Sequence, residues 1–426
     1  MSRFRTDTPV LTRRAVIGAA AAAAAATAPS VAQATSIAFL DQDAVDAATA
    51  RVEADLIALR RDLHAHPEGP GEEARTAAVV AEHLAAAGLT VTTGVGGHGV
   101  VGVLKGRRPG RTVAFRADMD AVPGQDQIGG ATGPEHLCGH DLHTAVGVGI
   151  ARVLASLRNR LHGTVVFVFQ PAEESLAGAR AMLAEGVLET YGFKEIHAFH
   201  CGPFPVGTFG VNPGLGLPGQ DRGAVHVTGA DARARAAALA EELNGLSTVP
   251  LPADSADLEA LVAHLQTEDG PLAEFVTMRA GVADGAADDR AEVRVSYRCW
   301  PEERYTEVRA EVGRIAGPYG AVDFPGDPFP ALVCPEAESH AFQRHLRRAM
   351  GRDSATVLHA VVPFNGEDFA LFVDRVPGTF TYLGVRGPGT DIMTASPHFP
   401  LFDPDEAAIG FGVRAMAGWL AERTRC

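Results

Sequence analysis

The chain predicts an α/β protein with a mostly parallel sheet, split by an inserted α+β domain. Three observations carry this. Short apolar strands alternate with helices at both ends of the chain. The middle of the chain breaks that alternation. Three strands run straight into acidic or imidazole side chains, as strands of a parallel sheet do at a ligand site.

The elements follow in order. Apolar residues recur at helical spacing over Val52–Leu63 and again over Glu72–Ala87, where Gly88 supplies the stop. Strands are predicted at Leu89–Thr92, Val100–Leu104 and Thr112–Phe115, then a helix from near His143 to Leu157. Val165–Phe169 and Ile196–Phe199 are continuous apolar runs, the pattern of strands buried on both faces. After the Pro/Gly-rich stretch Pro213–Gly219 the order becomes strand, helix, helix, strand, strand, helix, strand. These elements are Ala224–Thr228, Ala232–Asn244, Ser255–Gln266, Glu274–Ala280, Ala291–Arg298, Arg304–Ile315 and Ala321–Phe324. Beyond Pro325–Pro330 the α/β character returns, with helices at Glu336–Met350 and Glu367–Val373, a strand at Thr379–Leu383 and a last helix at Asp405–Arg423. The expected division is residues 1–34, a leader; 35–220, the first part of the main domain; 221–328, the insertion; and 329–426, the second part.

A length of 426 residues exceeds one typical core and fits this two-domain division. A hydrophobic content of 46% with 21% charged residues excludes a disordered chain. The net charge of -15, with Lys only at 105 and 194, provides no basic stripe for phosphates, so nucleic acid is not an expected partner. In the leader, Arg13-Arg14 precedes the apolar run Ala15–Ala26, and Ala32-Gln33-Ala34 is a small-x-small cleavage site. This is a twin-arginine export signal, which places the mature protein in the periplasm or outside the cell. The run is too short to span a bilayer, so no membrane anchor remains after processing. Five cysteines leave at least one unpaired, and an oxidising destination permits a disulfide such as Cys299 with Cys334.

The chemistry gathers at strand ends. Thr112–Phe115 leads into Arg116-Ala117-Asp118-Met119-Asp120, Val165–Phe169 into Gln170-Pro171-Ala172-Glu173-Glu174, and Ile196–Phe199 into His200-Cys201. Cys138-Gly139-His140-Asp141-Leu142-His143 lies just before a helix, and His398 sits in a late loop. Each has a plainer meaning alone: Asp141 as an N-cap, Glu173-Glu174 as a solvated helix start, His200 and His398 as structural histidines. Together, each falls where a parallel sheet puts its active site, and the cluster reads as a metal site.

Six of these stretches, in order, resemble the M20 metallopeptidase family, in its amidohydrolase branch of hippurate, aminoacyl and auxin-conjugate hydrolases. They are Leu59-Arg60-Arg61-Asp62-Leu63-His64-Ala65-His66-Pro67-Glu68, Arg116-Ala117-Asp118-Met119-Asp120-Ala121-Val122-Pro123, Cys138-Gly139-His140-Asp141-Leu142-His143-Thr144, Phe169-Gln170-Pro171-Ala172-Glu173-Glu174, Gly366-Glu367-Asp368-Phe369 and His398-Phe399-Pro400-Leu401-Phe402-Asp403. The resemblance implies a zinc-peptidase-like catalytic domain interrupted by a ferredoxin-like lid, which in such proteins often forms a homodimer surface. It assigns Cys138, His140, Glu174, His200 and His398 to two divalent ions (zinc, manganese, cobalt or nickel) and Glu173 to general base. The implied substrate is an N-acyl amino acid or short peptide, cleaved at its amide bond. Thiolate, imidazole and carboxylate suit such cations, a metal pair activates water, and a carboxylate beside it moves the proton. Asp118, Asp120 and Asp141, and less directly Glu367 and Asp368, would orient the imidazoles.

The lid departs from the family. A Gly-Lys-Gly-Gly-His-type segment is replaced by Gly229-Ala230-Asp231-Ala232-Arg233-Ala234-Arg235, without His, and Gly281 to Asp289 lacks the expected Asn. Loss of an oxyanion donor typically costs about 10²–10³ in rate. Arg233 is either its cationic substitute or an ordinary exposed helix residue. Two other functions therefore compete with hydrolysis by the metal site. One is a metal-binding, non-hydrolytic exported protein recognising a small acylated ligand, which the altered lid favours. The other is a cysteine hydrolase using Cys138 with His140, although one intervening residue suits two metal ligands better than nucleophile and base.

Overall fold

The apolar run Val165–Phe169 lies in the strand His162–Gln170, parallel to Arg108–Asp118, with Val165 opposite Val113 and Gln170 opposite Asp118. This arrangement comes from a computed structural model, which describes residues 40–425. The leader read at residues 1–34, and Cys426, lie outside the described residues. The main sheet has eight strands in the order Thr90–Val95, Gly99–Lys105, His162–Gln170, Arg108–Asp118, Ile196–Pro205, Gly378–Arg386, Phe209–Val211, Ala355–Val357. The four strands His162–Gln170, Arg108–Asp118, Ile196–Pro205 and Gly378–Arg386 are mutually parallel, and antiparallel neighbours flank them. The two outer strands Phe209–Val211 and Ala355–Val357 have three residues each, too few to leave a periodic signal.

Both faces of the sheet are covered. On one, the helices Glu53–His64, His140–Ser156 and Ala407–Arg423 pack together, and His140–Ser156 is buried along nearly its whole length. Gly149 makes the approach possible, since a Cβ there would lie 2.5 Å from Leu56 Cδ1 and 2.6 Å from Val413 Cγ2. On the other face Met182, Phe193, Phe369, Phe372 and Phe380 form a second core.

The inserted module is a four-stranded antiparallel sheet, ordered Gly320–Asp323, Asp221–Thr228, Arg290–Trp300, Phe275–Val282. Helices Ala232–Asn244 and Tyr305–Ala316 cover one face and share a core with it through Val225, Leu239, Val293 and Val312. The segments leading in and out pair with each other, Gly216–Leu217 against Leu332–Val333, so what reads as two Pro/Gly linkers is a short tied stalk. The helix Ser255–Leu265 leaves the module's core. Leu265 joins Leu358 and Ala360 in the second core of the main body, and Ser255 Oγ donates to Asp391 Oδ1 at 2.7 Å. Amphipathic spacing identifies a helix but not the body it packs on.

The permitted disulfide is not formed. Cys299 and Cys334 are buried free thiols in separate cores. Among the described residues no helix is long and apolar enough to cross a membrane.

At the amino end of Ile196–Pro205, the buried Glu195 carboxylate meets Arg111 Nη2 at 2.5 Å and Arg423 Nε at 2.6 Å, tying the last helix to the sheet. Burial works to raise this carboxyl, but His197 and Arg423 outweigh it and bring it down to about 2. A depressed folded value contributes stability that is present above the unfolded value near 4.5 and fades as pH falls toward 2. Glu195→Gln should therefore lose on the order of 3 kcal/mol at pH 7 and much less at pH 3. Urea denaturation at the two pH values checks this, and an equal loss at both would refute it.

Candidate metal centre

The parallel strands carry their acids and imidazoles to one edge. Arg108–Asp118 ends in Asp118, with Asp120 two residues beyond. Past His162–Gln170 the chain turns sharply, with Ala172 in the left-handed region at φ 54°, and presents Glu173 and Glu174. Ile196–Pro205 delivers His200, and the left-handed His398 (φ 69°) arrives on its loop with its N–H bonded to Leu137 O. Strained non-glycine backbone at both loops is a mark of functional positions. His140 opens its helix, three residues before the start its sequence suggests, because Gly139 at φ 91° turns the chain there. A Cβ on Gly139 would lie 2.7 Å from Cys201 Sγ, so only glycine lets Cys138 and His140 sit side by side here.

Unpartnered ligand atoms face one another at this edge. His140 Nε2 lies 3.9 Å from Glu173 Oε2, 3.9 Å from Glu174 Oε1 and 3.7 Å from Asp118 Oδ2. His398 Nε2 lies 3.9 Å from Glu174 Oε1. These separations are too long for hydrogen bonds. They suit ligands of a shared cation, since atoms about 2.1 Å from one ion stand roughly 3–4 Å apart. His140 Nε2, Glu173 Oε1 and Glu174 Oε1 are buried without a hydrogen-bond partner. Cys138, His140 and Glu174 bring ligand atoms within 4.8 Å of one another.

The imidazoles of His140 and His200 are anchored through Nδ1. His140 Nδ1 is 2.9 Å from Asp120 O and 3.2 Å from Asp120 Oδ1, and His200 Nδ1 is 2.9 Å from Cys201 O. Donation from Nδ1 in each turns Nε2 away from these partners. Burial works to lower His140, but Asp118, Cys138 and Asp120 outweigh it and raise it well above the usual histidine range. A cation at its Nε2 would displace a proton. Burial, then neighbouring His143 and His140, push His200 well below the usual histidine range. Burial, His140 and Arg298 bring His398 to about 4. Both rings are neutral at physiological pH. His143 is spent elsewhere: Nδ1 contacts Asp118 Oδ1 at 2.6 Å, and Nε2 accepts the Cys201 N–H at 2.9 Å.

The surroundings are short of positive charge. Burial, with Glu367 and Glu174 nearby, raises Glu173 well above the usual carboxyl range. Burial lifts Glu174 to about 8 in spite of His140, and Asp368 to about 7 in spite of Arg116. Arg116 is the hub that sequence reasoning left without a role. Fully buried, it reaches Asp118 Oδ2 at 2.5 Å, Glu367 Oε1 at 2.9 Å, Asp368 Oδ1 at 3.2 Å and Gln170 Oε1 at 3.0 Å. A donor set of thiol, imidazoles and carboxylates, with unpartnered atoms and excess negative charge, fits divalent cations.

Thus Cys138, His140, Glu173, Glu174, His200 and His398 meet at one edge, and Asp118 and Asp120 orient imidazoles. One expectation is corrected, and of the two readings of Arg233 the geometry favours the exposed helix residue. Asp141 orients no ligand candidate; its Oδ2 takes Arg60 Nε at 2.8 Å and His64 Nδ1 at 2.9 Å, tying the helix start to Glu53–His64. Arg233 stands exposed on Ala232–Asn244, the helix on the module's covered face, and does not reach the cavity beside Glu173. That cavity, about 110 Å³, is lined instead by Arg298, Arg222, Gln220, Asn365 and Tyr382 together with Glu173, Glu174, His200 and His398. Arg298 donates from Nε to Phe364 O at 3.1 Å and leaves Nη1 buried and unpartnered. A signal for it existed: Arg294, Ser296 and Arg298 alternate along one strand and mark a polar sheet face. Which body that face meets was not legible.

Cys138 is no nucleophile in this setting. It is fully buried, its Sγ is 3.7 Å from Asp120 O, and burial pushes its thiol up.

Comparison with known proteins fits this geometry. The profile of peptidase family M20/M25/M40 matches residues 114–422. An N-acetylcysteine deacetylase of Bacillus subtilis is 33% identical over 374 residues, covering 83% of this chain and 93% of that protein. Thermostable carboxypeptidase 1 of Saccharolobus solfataricus is 29% identical over 381 residues, covering 85% of this chain and 93% of that protein. A crystal structure from Bacillus subtilis, described as a dinuclear metal-binding peptidase, superposes with a TM-score of 0.65 at 30% identity, over 88% of this chain and 98% of that one.

Proposed function

The chain belongs to peptidase family M20/M25/M40 and is a metal-dependent hydrolase, and from that premise we propose that it cleaves the amide bond of N-acyl amino acids or short peptides with Glu173 as general base beside two divalent ions. The observation that carries this reading is the cluster of buried, unpartnered atoms His140 Nε2, Glu173 Oε1 and Glu174 Oε1, of which the two glutamates line the cavity. Cys138, His140, Glu174, His200 and His398 hold the ions. When bound, a divalent pair polarises the scissile carbonyl and brings the pKa of water toward neutrality.

The remaining work belongs to the chain's own groups. Glu173 lies among Glu367, Glu174 and Asp368, which favour its accepting a proton. It takes the proton from water and returns it to the departing amine. Arg298, with Nη1 free toward the same cavity, binds the carboxylate of the substrate. Arg298→Ala should raise KM for a free N-acyl amino acid about 10–100-fold and leave its carboxamide nearly unaffected. Equal losses for acid and carboxamide would refute that role.

The test of the whole reading is metal content per chain, measured with hydrolysis of N-acyl amino acids and dipeptides before and after chelation. Metal retention, chelator-sensitive turnover and restoration by added divalent ion are expected. Metal retention without any turnover would favour the non-hydrolytic binder, for which the absence of a donor from Gly229–Arg235 speaks. Export by the twin-arginine route, supported by Arg13-Arg14 before Ala15–Ala26, and a homodimer through the lid complete the reading.

A further inference from the structure

Helix Ser255–Leu265 supplies no side chain to the core of the module that carries it. Its last residue is anchored on the main body. Leu265 is buried with Leu358 and Ala360, and its carbonyl accepts the His359 N–H at 2.7 Å. The rest of the helix docks on the segment that leads from the strand Gly378–Arg386 to His398.

Two polar contacts make that dock. Glu259 Oε1 meets Arg386 Nη1 at 2.7 Å, and Arg386 Nε donates to Thr390 O at 3.1 Å. Ser255 Oγ donates to Asp391 Oδ1 at 2.7 Å, and the same oxygen accepts the Met393 N–H at 2.8 Å. Asp391 thereby caps the short helical turn Ile392–Ala395, which runs through Ser396 and Pro397 into His398. Leu258 and Leu261 of the helix border one cavity with Ser396, Pro397, His398 and Phe399. The helix thus grips the His398 loop at its root and faces it along its length.

This loop needs holding. His398 lies in the left-handed region at φ 69°, which a residue with a Cβ keeps only where its surroundings impose it. On one side Leu137 O accepts the His398 N–H at 2.6 Å. The root is the other fixed point, and there the support comes from the insertion. Metal sites are sensitive to such supports, since losing a group that orients a ligand typically costs about 10–100-fold in affinity.

We propose that helix Ser255–Leu265 is a positioning element for the metal centre, a strap from the lid that holds the His398 loop through Asp391 and Arg386. The proposal rests on the reading of His398 as a metal ligand and makes the lid part of what sets its place.

The test breaks the strap in the full chain. Ala260 is exposed at mid-helix, so Ala260→Pro interrupts the helix without entering the module's core. Cobalt titrated into the metal-free protein, followed by its visible absorption, should bind about 10–100-fold more weakly at one of its two sites. Ala237→Pro does the same damage to the exposed side of Ala232–Asn244 and should leave cobalt binding unchanged. Equal weakening in both variants, or none in Ala260→Pro, overturns the proposal. Should Ala260→Pro fail to fold, Glu259→Arg takes its place. It should weaken cobalt binding about two- to fivefold, the range of an exposed ion pair, and adding Arg386→Glu should recover it. No weakening, or no recovery, overturns the proposal. If the unaltered chain binds no divalent ion, the metal-centre reading fails instead, and amide hydrogen exchange over residues 391–399 decides the strap alone. Faster exchange there in the variant upholds it, and unchanged exchange overturns it.

Discussion

Glu173→Gln is expected to keep its bound metal and to lose turnover by about 10²–10⁴-fold. The substitution preserves volume and hydrogen-bonding reach but removes the ability to accept a proton. The two adjacent glutamates sit differently among the imidazoles. Glu174 has its backbone N–H fixed by Asp120 Oδ2 at 2.8 Å, and its Oε1 faces both His140 and His398. Glu173 faces His140 alone among these imidazoles and keeps Oε1 unpartnered. Glu174→Gln should therefore show the opposite profile, with weakened metal retention as its primary defect. Metal analysis beside single-turnover kinetics distinguishes the two variants. Retained activity in Glu173→Gln, or lost metal, would remove Glu173 from the base role.

The parts of this site that were legible in the sequence are those whose residue type and strand-end position carry the chemistry together. The pairs Cys138 with His140 and Glu173 with Glu174 are separated from each other, from His200 and from His398 by tens of residues to more than two hundred. Strands ending at one edge, with a helix start and a loop beside them, nonetheless gather all six. Contacts between bodies were not legible. Arg233 was a candidate because it occupies the stretch where a histidine is expected, but helix Ala232–Asn244 turns it to solvent on the module's far face. Arg298 went unread because a strand's alternation shows that one face is polar, not what that face meets. The predicted helix at Glu367–Val373 begins only at Ala370, because Glu367 and Asp368 are drawn to Arg116 and the Glu367 carboxylate accepts the Phe369 N–H at 2.9 Å. Local propensity did not register a buried arginine 250 residues upstream.

That arginine supports the last expectation. Arg116→Met should lower the stability of the metal-free protein by about 3–5 kcal/mol, the cost of leaving buried partners without their opposite charge. Methionine replaces most of the side-chain volume, and its packing near Phe369, whose ring lies 5.9 Å from the guanidinium, can persist. The electrostatic balance cannot. Asp118 is held well below the usual carboxyl range, against its burial, by His140, Arg116 and His143, while Glu367 and Asp368 already stand above it with the arginine present. Without Arg116 all three carboxyls move up. A carboxyl whose pKa is higher folded than unfolded keeps a proton that the unfolded chain has released, so stability falls as pH rises past about 4. The variant's deficit should accordingly be larger at pH 8 than at pH 5, and chemical denaturation at both values measures it. A loss below about 1 kcal/mol, or one indifferent to pH, would show that these acids are held together by something other than the charge of Arg116.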